Sequence, residues 1–312
     1  MMTFDGPRGD VGDAVAEKGD GTSLYESART RISRRPWVRA AGSVSSTSAS
    51  AGTTVRAVIW KEPLGPDAKP RRDHETGILT ALAAVPGVAH LVPTNAPNDV
   101  PGGAPTDVPV GFALEDVGGV SLASTLTGPA ETDWPVPDLV TLALRLARVL
   151  SGVHQAGVMH KDINPSNILI TEPDRDPVLI DWDLATSFAE ERPGFTHENA
   201  IAGTLPYLAP EQSGRTGRGV DQRADLYALG ATLYQVAVGR PPFGKGDPLT
   251  LIHDHLARVP RPPRELNPAV PEMLSRIILR LLEKEPDRRY QSAAGLTHDL
   301  TRLQAGLTAD PA

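Results

Sequence analysis

His160-Lys161-Asp162-Ile163-Asn164-Pro165-Ser166-Asn167-Ile168-Leu169-Ile170 is followed, after a short gap, by Val178-Leu179-Ile180-Asp181-Trp182-Asp183. Polar residues lead into an apolar run, a gap rich in Pro and Asp, and a second apolar run. Two such runs around turn residues spell a short hairpin. The hairpin brings Asn167 and Asp181 side by side. An amide oxygen and a carboxylate form a hard-oxygen pair suited to Mg²⁺, which keeps waters and recruits phosphate oxygens. Asp162, on the loop held by Pro165, is placed to orient or deprotonate a hydroxyl. Singly, each of the three is explained as a polar turn residue. Together and in this order they are not.

Outward from this segment the pattern divides. Upstream, Leu139, Leu142, Leu146, Val149, Leu150 and Val153 recur at helical spacing and make one buried stripe. Downstream, helical patterns run over 223–238, 249–257, 271–283 and 292–303. Towards the front, the alternating β-branched run 55–60 reads as a strand, 70–84 as a helix through Ile78, Leu79 and Leu82, and 109–114 as a second strand. Strands first and helices after predict an α+β protein in two lobes. The boundaries are an N-lobe over 22–114, a hinge over 115–119 and a helical C-lobe over 120–305. Residues 1–21 carry almost no large apolar side chains and read as a disordered leader. Residues 41–54 read as a flexible insert, 92–109 with five prolines as a loop, and 306–312 as a frayed tail.

The 312 residues correspond to roughly two domains. Acidic side chains number 38 against 31 basic, a net charge of -7, which argues against a nucleic-acid partner. The absence of Cys excludes disulfides, thiolate metal sites and a Cys nucleophile. Apolar runs such as 228–238 fall well short of the roughly 18 residues of a membrane span. The start, Met1-Met2-Thr3-Phe4-Asp5-Gly6, has no basic segment leading into an apolar one. The expectation is no secretory leader and a cytoplasmic address.

The quoted segment resembles the catalytic loop and metal-binding turn of protein kinases, H-R-D-L-x-x-x-N and D-F-G. Further motifs follow in order: Gly203-Thr204-Leu205-Pro206-Tyr207-Leu208-Ala209-Pro210-Glu211, then Asp225 to Gly230 as a DxxxxG helix, then Arg289. Upstream, Lys61 ends the strand before the 70–84 helix, and Glu75 lies in that helix. The likeness runs from about Leu24 to Leu303. More narrowly, the chain is similar to bacterial kinase-like domains at the front of multi-sensor histidine kinases and ATPases, through Leu24 to Ala28, Leu114 to Gly119, His160 to Asn167 and Pro210-Glu211-Gln212. The expectation is a stand-alone or split-off version of such a domain.

The resemblance implies a bilobal kinase-like fold and phosphoryl transfer from ATP with Mg²⁺ to Ser/Thr hydroxyls of a protein substrate. Lys61, held by Glu75, would meet the α and β phosphates. Asn167 and Asp181 would hold Mg²⁺, and Asp162 would take the substrate hydroxyl. Leu114, Glu115 and Val117 would face the adenine. Thr204 would help hold the loop and an incoming Ser/Thr. A separately encoded sensor or regulator is a further expected partner. Four departures stand out. No G-x-G-x-x-G is present; Ser27 and Ala28 stand in its place. Asp183 replaces the Gly of D-F-G, where it would tolerate unusual backbone angles. Asn164 replaces the Lys that meets the transferred phosphate. Lys161 replaces the Arg of H-R-D and lacks its fork, which argues against control by phosphorylation at Thr196.

Three functions compete. The first is a Ser/Thr protein kinase. The second is a pseudokinase that binds nucleotide or partners without turnover, motivated by the departures. The third is a small-molecule phosphotransferase of the aminoglycoside or choline kinase kind, which Ile180-Asp181-Trp182-Asp183 resembles; the A-P-E and DxxxxG motifs speak against it. Bland roles fit other residues. His160 reads as a buried structural histidine, Trp182 as core, Asp225 as a brace for the catalytic loop, and Glu211 with Arg289 as an ion pair. His253 and His255, two apart, do not share a helix face and make no metal site.

Overall fold

Four antiparallel strands, β1 (Ser23–Glu26), β2 (Thr30–Val38), β3 (Val55–Pro63) and β4 (Phe112–Glu115), build the front sheet in the order β1-β2-β3-β4. The structure, a computed structural model, describes residues 23–27, 29–38, 55–92, 110–126, 134–191, 205–244 and 246–309. The expected leader, the 41–54 insert and nearly all of the 92–109 loop lie outside these residues. Along β3 the side chains alternate between the two faces. Val58 and Trp60 bury on one face with Ala113 and Val92. Lys61, odd in that count, falls on the other. Strand β3 runs two residues past Lys61, so Lys61 is inside the strand rather than at its end. Helix α1 (Ala68–Ala81) begins two residues before the expected start and ends three before the expected end. Pro70 is tolerated because it sits in the first turn, where backbone N–H groups have no helical partner.

The remaining helices are α2 (Val136–Gln155), α3 (Arg223–Val238), α4 (Pro248–Ala257), α5 (Pro263–Leu266), α6 (Glu272–Leu281) and α7 (Ala293–Ala309). Helix α2 packs on α7 and α3, and α3 on α6. Almost every residue of α3 is buried, as for a helix at the centre of a core. Helix α7 extends to Ala309, so residues 306–309 are helical rather than frayed; 310–312 are outside the described residues. Among the described residues two small sheets follow. One has the order β5 (Val120–Ser121), β7 (Ile168–Thr171), β8 (Asp176–Leu179); the other pairs β6 (Val158–Met159) with β9 (Thr186–Ser187).

The chain divides into two compact units. One holds the residues up to Thr76 with His90–Asp116; the other holds Gly77–Ala89 and the chain from Val117 onward. The second change falls within the expected 115–119 hinge. Residues 77–89, expected in the N-lobe, cluster with the helical unit because their backbone runs beside β8: Leu179 donates to Gly87 at 2.8 Å and Ala89 to Leu179 at 3.3 Å.

Gly119 opens β5 at φ 87°, and a Cβ there would lie 2.3 Å from the Ile170 carbonyl oxygen. Gly119→Ala is therefore expected to cost about 2 kcal/mol or more, since left-handed backbone alone costs about 1–2 kcal/mol in a residue with a Cβ. A denaturant midpoint that stays at the wild-type value would contradict this.

His255 is buried on α4. It contacts the Tyr227 hydroxyl at 2.8 Å through Nδ1, and that hydroxyl also lies 3.4 Å from Lys284 Nζ. His253 is exposed. Among the described residues no group of three or more metal-binding side chains is present. Burial, then the Lys284 charge, push the His255 imidazole from 6.5 down to about 3. The unfolded chain therefore binds a proton between these values that the folded chain refuses. Stability from this site is complete above pH 6.5 and is lost as pH falls. Between pH 6.5 and 5, His255→Gln is expected to flatten the fall of the unfolding midpoint; parallel slopes would count against it.

Candidate active site

Strand β6 delivers the chain into the loop 160–164, and Asn164 caps the 3-10 turn Pro165–Asn167 that follows. The Ser166 N–H donates to Asn164 Oδ1 at 2.9 Å. The Asn164 amide then donates to the Asp162 carbonyl and to its Oδ1, both at 3.1 Å. From the other side Asn167 Nδ2 donates to the same carbonyl at 3.0 Å and to Asp162 Oδ2 at 2.8 Å. Each carboxylate oxygen of Asp162 is thus fixed by one side-chain amide. Burial first, and the Asp181 charge second, push the Asp162 carboxyl up to about 8, against the pull of the two amides.

A second layer holds this loop. His160 Nδ1 faces the Asp162 N–H at 3.3 Å, and its Nε2 faces the Ile180 carbonyl at 3.1 Å. Burial pushes its pKa down, so the ring is neutral, and it stacks tilted on Trp182 at 4.4 Å. Asp225, wholly buried, accepts from the His160 N–H at 2.9 Å and the Lys161 N–H at 2.8 Å, and pairs with His154 Nε2 at 2.9 Å. Burial pushes the Asp225 carboxyl up, but the hydrogen bonds it accepts, from His154 first and then from the loop backbone, outweigh it and hold the carboxyl below its usual range. The bracing role expected of Asp225 and the structural role of His160 are both present.

The hairpin of β7 and β8 returns the chain to this loop, and the Ile180 N–H donates to the Asn167 carbonyl at 3.1 Å. Asp181 follows at φ 63°. Left-handed backbone in this turn therefore belongs to Asp181 and not to Asp183, which has no positive φ. The expectation that Asp183 substitutes for glycine through its backbone angles is corrected accordingly. The donor set suits Mg²⁺. The Asn167 amide nitrogen is engaged by Asp162, so its amide oxygen and the Asp181 carboxylate are the groups that could hold a cation. Mg²⁺ is characteristically held by one or two carboxylates with waters and phosphates.

In the other unit, Lys61 Nζ lies 2.6 Å from Glu75 Oε1, with side chains 5% and 1% exposed. Glu75 falls on the helical stripe of Ile78, Leu79 and Leu82, which is why a carboxylate is buried there. Leu114 is buried in β4, and the Glu115 N–H is engaged by the His90 carbonyl at 2.8 Å. Val117 lies just past the end of this unit. The turn between β1 and β2 is closed by Ser27, whose Oγ accepts from the Thr30 N–H at 3.1 Å and the Arg29 N–H at 3.3 Å. Thr204 and Thr196 lie outside the described residues.

Past these, the 3-10 turn Pro210–Ser213 carries two buried anchors. Glu211 forms a two-pronged pair with Arg289 at 2.6 and 2.8 Å. Gln212 Nε2 donates to the Lys161 carbonyl at 2.8 Å. The roles of Gln212, His154 and Glu191, which pairs with Lys161, had no signal in the sequence beyond residue type. Each acts across 30 residues or more.

Residues 106–301 match the protein kinase domain family. The chain is 41% identical over 175 residues to the DNA damage-responsive serine/threonine-protein kinase RqkA of Deinococcus radiodurans, a stretch covering 56% of this chain and 26% of that protein. It is 34% identical over 201 residues to the serine/threonine-protein kinase PknB of Mycolicibacterium smegmatis, covering 64% and 31%. A probable serine/threonine-protein kinase of Clostridium acetobutylicum is 33% identical over 166 residues, covering 53% and 24%. The chain thus aligns with less than a third of the length of each relative.

Proposed function

The chain belongs to the protein kinase domain family, and on that premise we propose that it transfers the γ-phosphoryl group of ATP to Ser and Thr hydroxyls of protein substrates in bacterial signalling. The observation that carries this reading is the Asp162 carboxylate, held between Asn164 and Asn167 on a loop tied to the backbone before Asp181. Phosphoryl transfer asks a protein for positioning and charge neutralisation more than for covalent chemistry. Asp162 would orient the substrate hydroxyl and accept its proton. Asn167 and Asp181 would hold Mg²⁺, which when bound neutralises phosphate charge. Lys61, fixed by Glu75, would contact the α and β phosphates. Leu114, Glu115 and Val117 would flank the adenine, Glu115 without its N–H. Thr204 would help seat the incoming hydroxyl. A separately encoded sensor or regulator would direct the activity, and ATP supply fits a cytoplasmic setting. Among the described residues no helix is long and apolar enough to cross a membrane.

Nucleotide binding without turnover is the second reading. It is favoured by Asn164, which holds Asp162 but brings no positive charge to the transferred phosphate. Catalysis by a small-molecule phosphotransferase is the third. γ-Labelled ATP and Mg²⁺ offered with a Ser/Thr-rich protein, an aminoglycoside or choline separate all three. Label on Ser or Thr of the protein is expected. A small alcohol labelled far faster than any protein would overturn the reading.

A further inference from the structure

Lys161, the residue before Asp162, is buried at φ 65°, a left-handed backbone that a side chain with a Cβ rarely adopts. Every polar group it has is engaged. Its N–H donates to Asp225 Oδ1 at 2.8 Å, and its carbonyl accepts from Gln212 Nε2 at 2.8 Å. Its ammonium lies 3.1 and 2.9 Å from the two oxygens of Glu191. Glu191 is itself held, because the Thr186 hydroxyl donates to its Oε2 at 2.7 Å. Both charged side chains are nearly buried, at 6% and 11% exposure. A buried ammonium without a counter-charge is costly, so the conformation of the loop at Lys161 depends on the carboxylate at 191.

We propose that Glu191 is a positioning residue. It is a built-in anion that holds Lys161 in its left-handed conformation and thereby sets the Asp162 carboxylate, so that this loop needs no phosphate added to the chain to reach its working geometry. The inference rests on the kinase reading and adds to it a source of regulation, or rather its absence, at this point. The segment from Thr186 to Glu191 supplies permanently the charge that a modification would supply conditionally.

The test compares wild type, phosphatase-treated wild type, Glu191→Gln and the double variant Lys161→Gln/Glu191→Gln, all in the full chain with γ-labelled ATP and Mg²⁺. The double variant leaves no lone buried charge, so it serves if the single one does not fold. Displacing a loop by about an ångström costs on the order of a hundredfold. A fall in kcat of about ten- to a hundredfold is therefore expected in the folded variants. KM for ATP should stay at the wild-type value, and kcat is counted per folded molecule from the melting curve, because loss of folded protein alone also lowers apparent kcat at unchanged KM. Phosphatase treatment should leave the wild type active. A folded variant with wild-type kcat, or a wild type silenced by phosphatase, overturns the inference alone. A wild type that labels nothing before or after treatment overturns the kinase reading and takes this inference with it.

Discussion

Asp162→Asn is expected to lower phosphoryl transfer by a factor on the order of 10³ or more, about 4 kcal/mol of transition-state stabilisation. The substitution keeps size and removes the acceptor for the hydroxyl proton. It also faces two amide donors, Asn164 and Asn167, with an amide in place of a carboxylate. Stability should move the other way. Burial and Asp181 raise the Asp162 carboxyl from 3.8 to about 8 in the folded chain. The folded state therefore holds a proton that the unfolded state has released across this window, and stability from this site falls as pH rises from 3.8 to 8. The carboxyl can accept the substrate proton only once it has ionised, so transfer should rise towards pH 8. A neutral residue escapes that penalty. The variant should melt no lower than wild type at pH 8 while losing activity. Activity retained within tenfold, or a large drop in melting temperature, would contradict this account of Asp162.

Arg289→Leu is the second large effect, and it concerns stability. The guanidinium pairs with both Glu211 oxygens and donates to the carbonyls of Glu283, Arg223 and Lys284, with its side chain 0% exposed. Its removal leaves a buried carboxylate without its cation and takes one donor from each of three carbonyls. A loss of about 3–5 kcal/mol is expected, a fall in melting temperature on the order of 10 °C. The double variant Arg289→Leu/Glu211→Leu should recover part of it, because no lone charge remains. A single variant as stable as wild type would show that the pair is not a structural anchor.

Much of this was legible in the sequence, for a physical reason. Local patterns report local structure. The stripe of Leu139 to Val153 gave α2, the paired apolar runs gave β7 and β8, and the order of motifs pointed to the Lys61–Glu75 ion pair; it also singled out Asp162, Asn167 and Asp181, whose roles are proposals. The Glu211–Arg289 pair followed from the same order. What escaped is pairing between polar groups far apart in the chain, which leaves no periodicity. Lys161 finds Glu191 and Gln212 only after the loop is folded. In the turn after β8 the left-handed residue sits two positions before Asp183, where substitution for glycine suggests a backbone cause. The backbone instead turns at Asp181. Ser27 likewise closes the β1–β2 turn on itself, a use of the hydroxyl that residue type alone did not single out.

The proposed activity moves the terminal phosphate of ATP onto a protein hydroxyl. Its most direct test is incubation of the wild-type chain with γ-labelled ATP, with and without Mg²⁺, followed by mass-spectrometric mapping of the labelled residues. The account predicts label on Ser or Thr that depends on Mg²⁺. A folded chain that binds ATP yet leaves every hydroxyl unlabelled would contradict it.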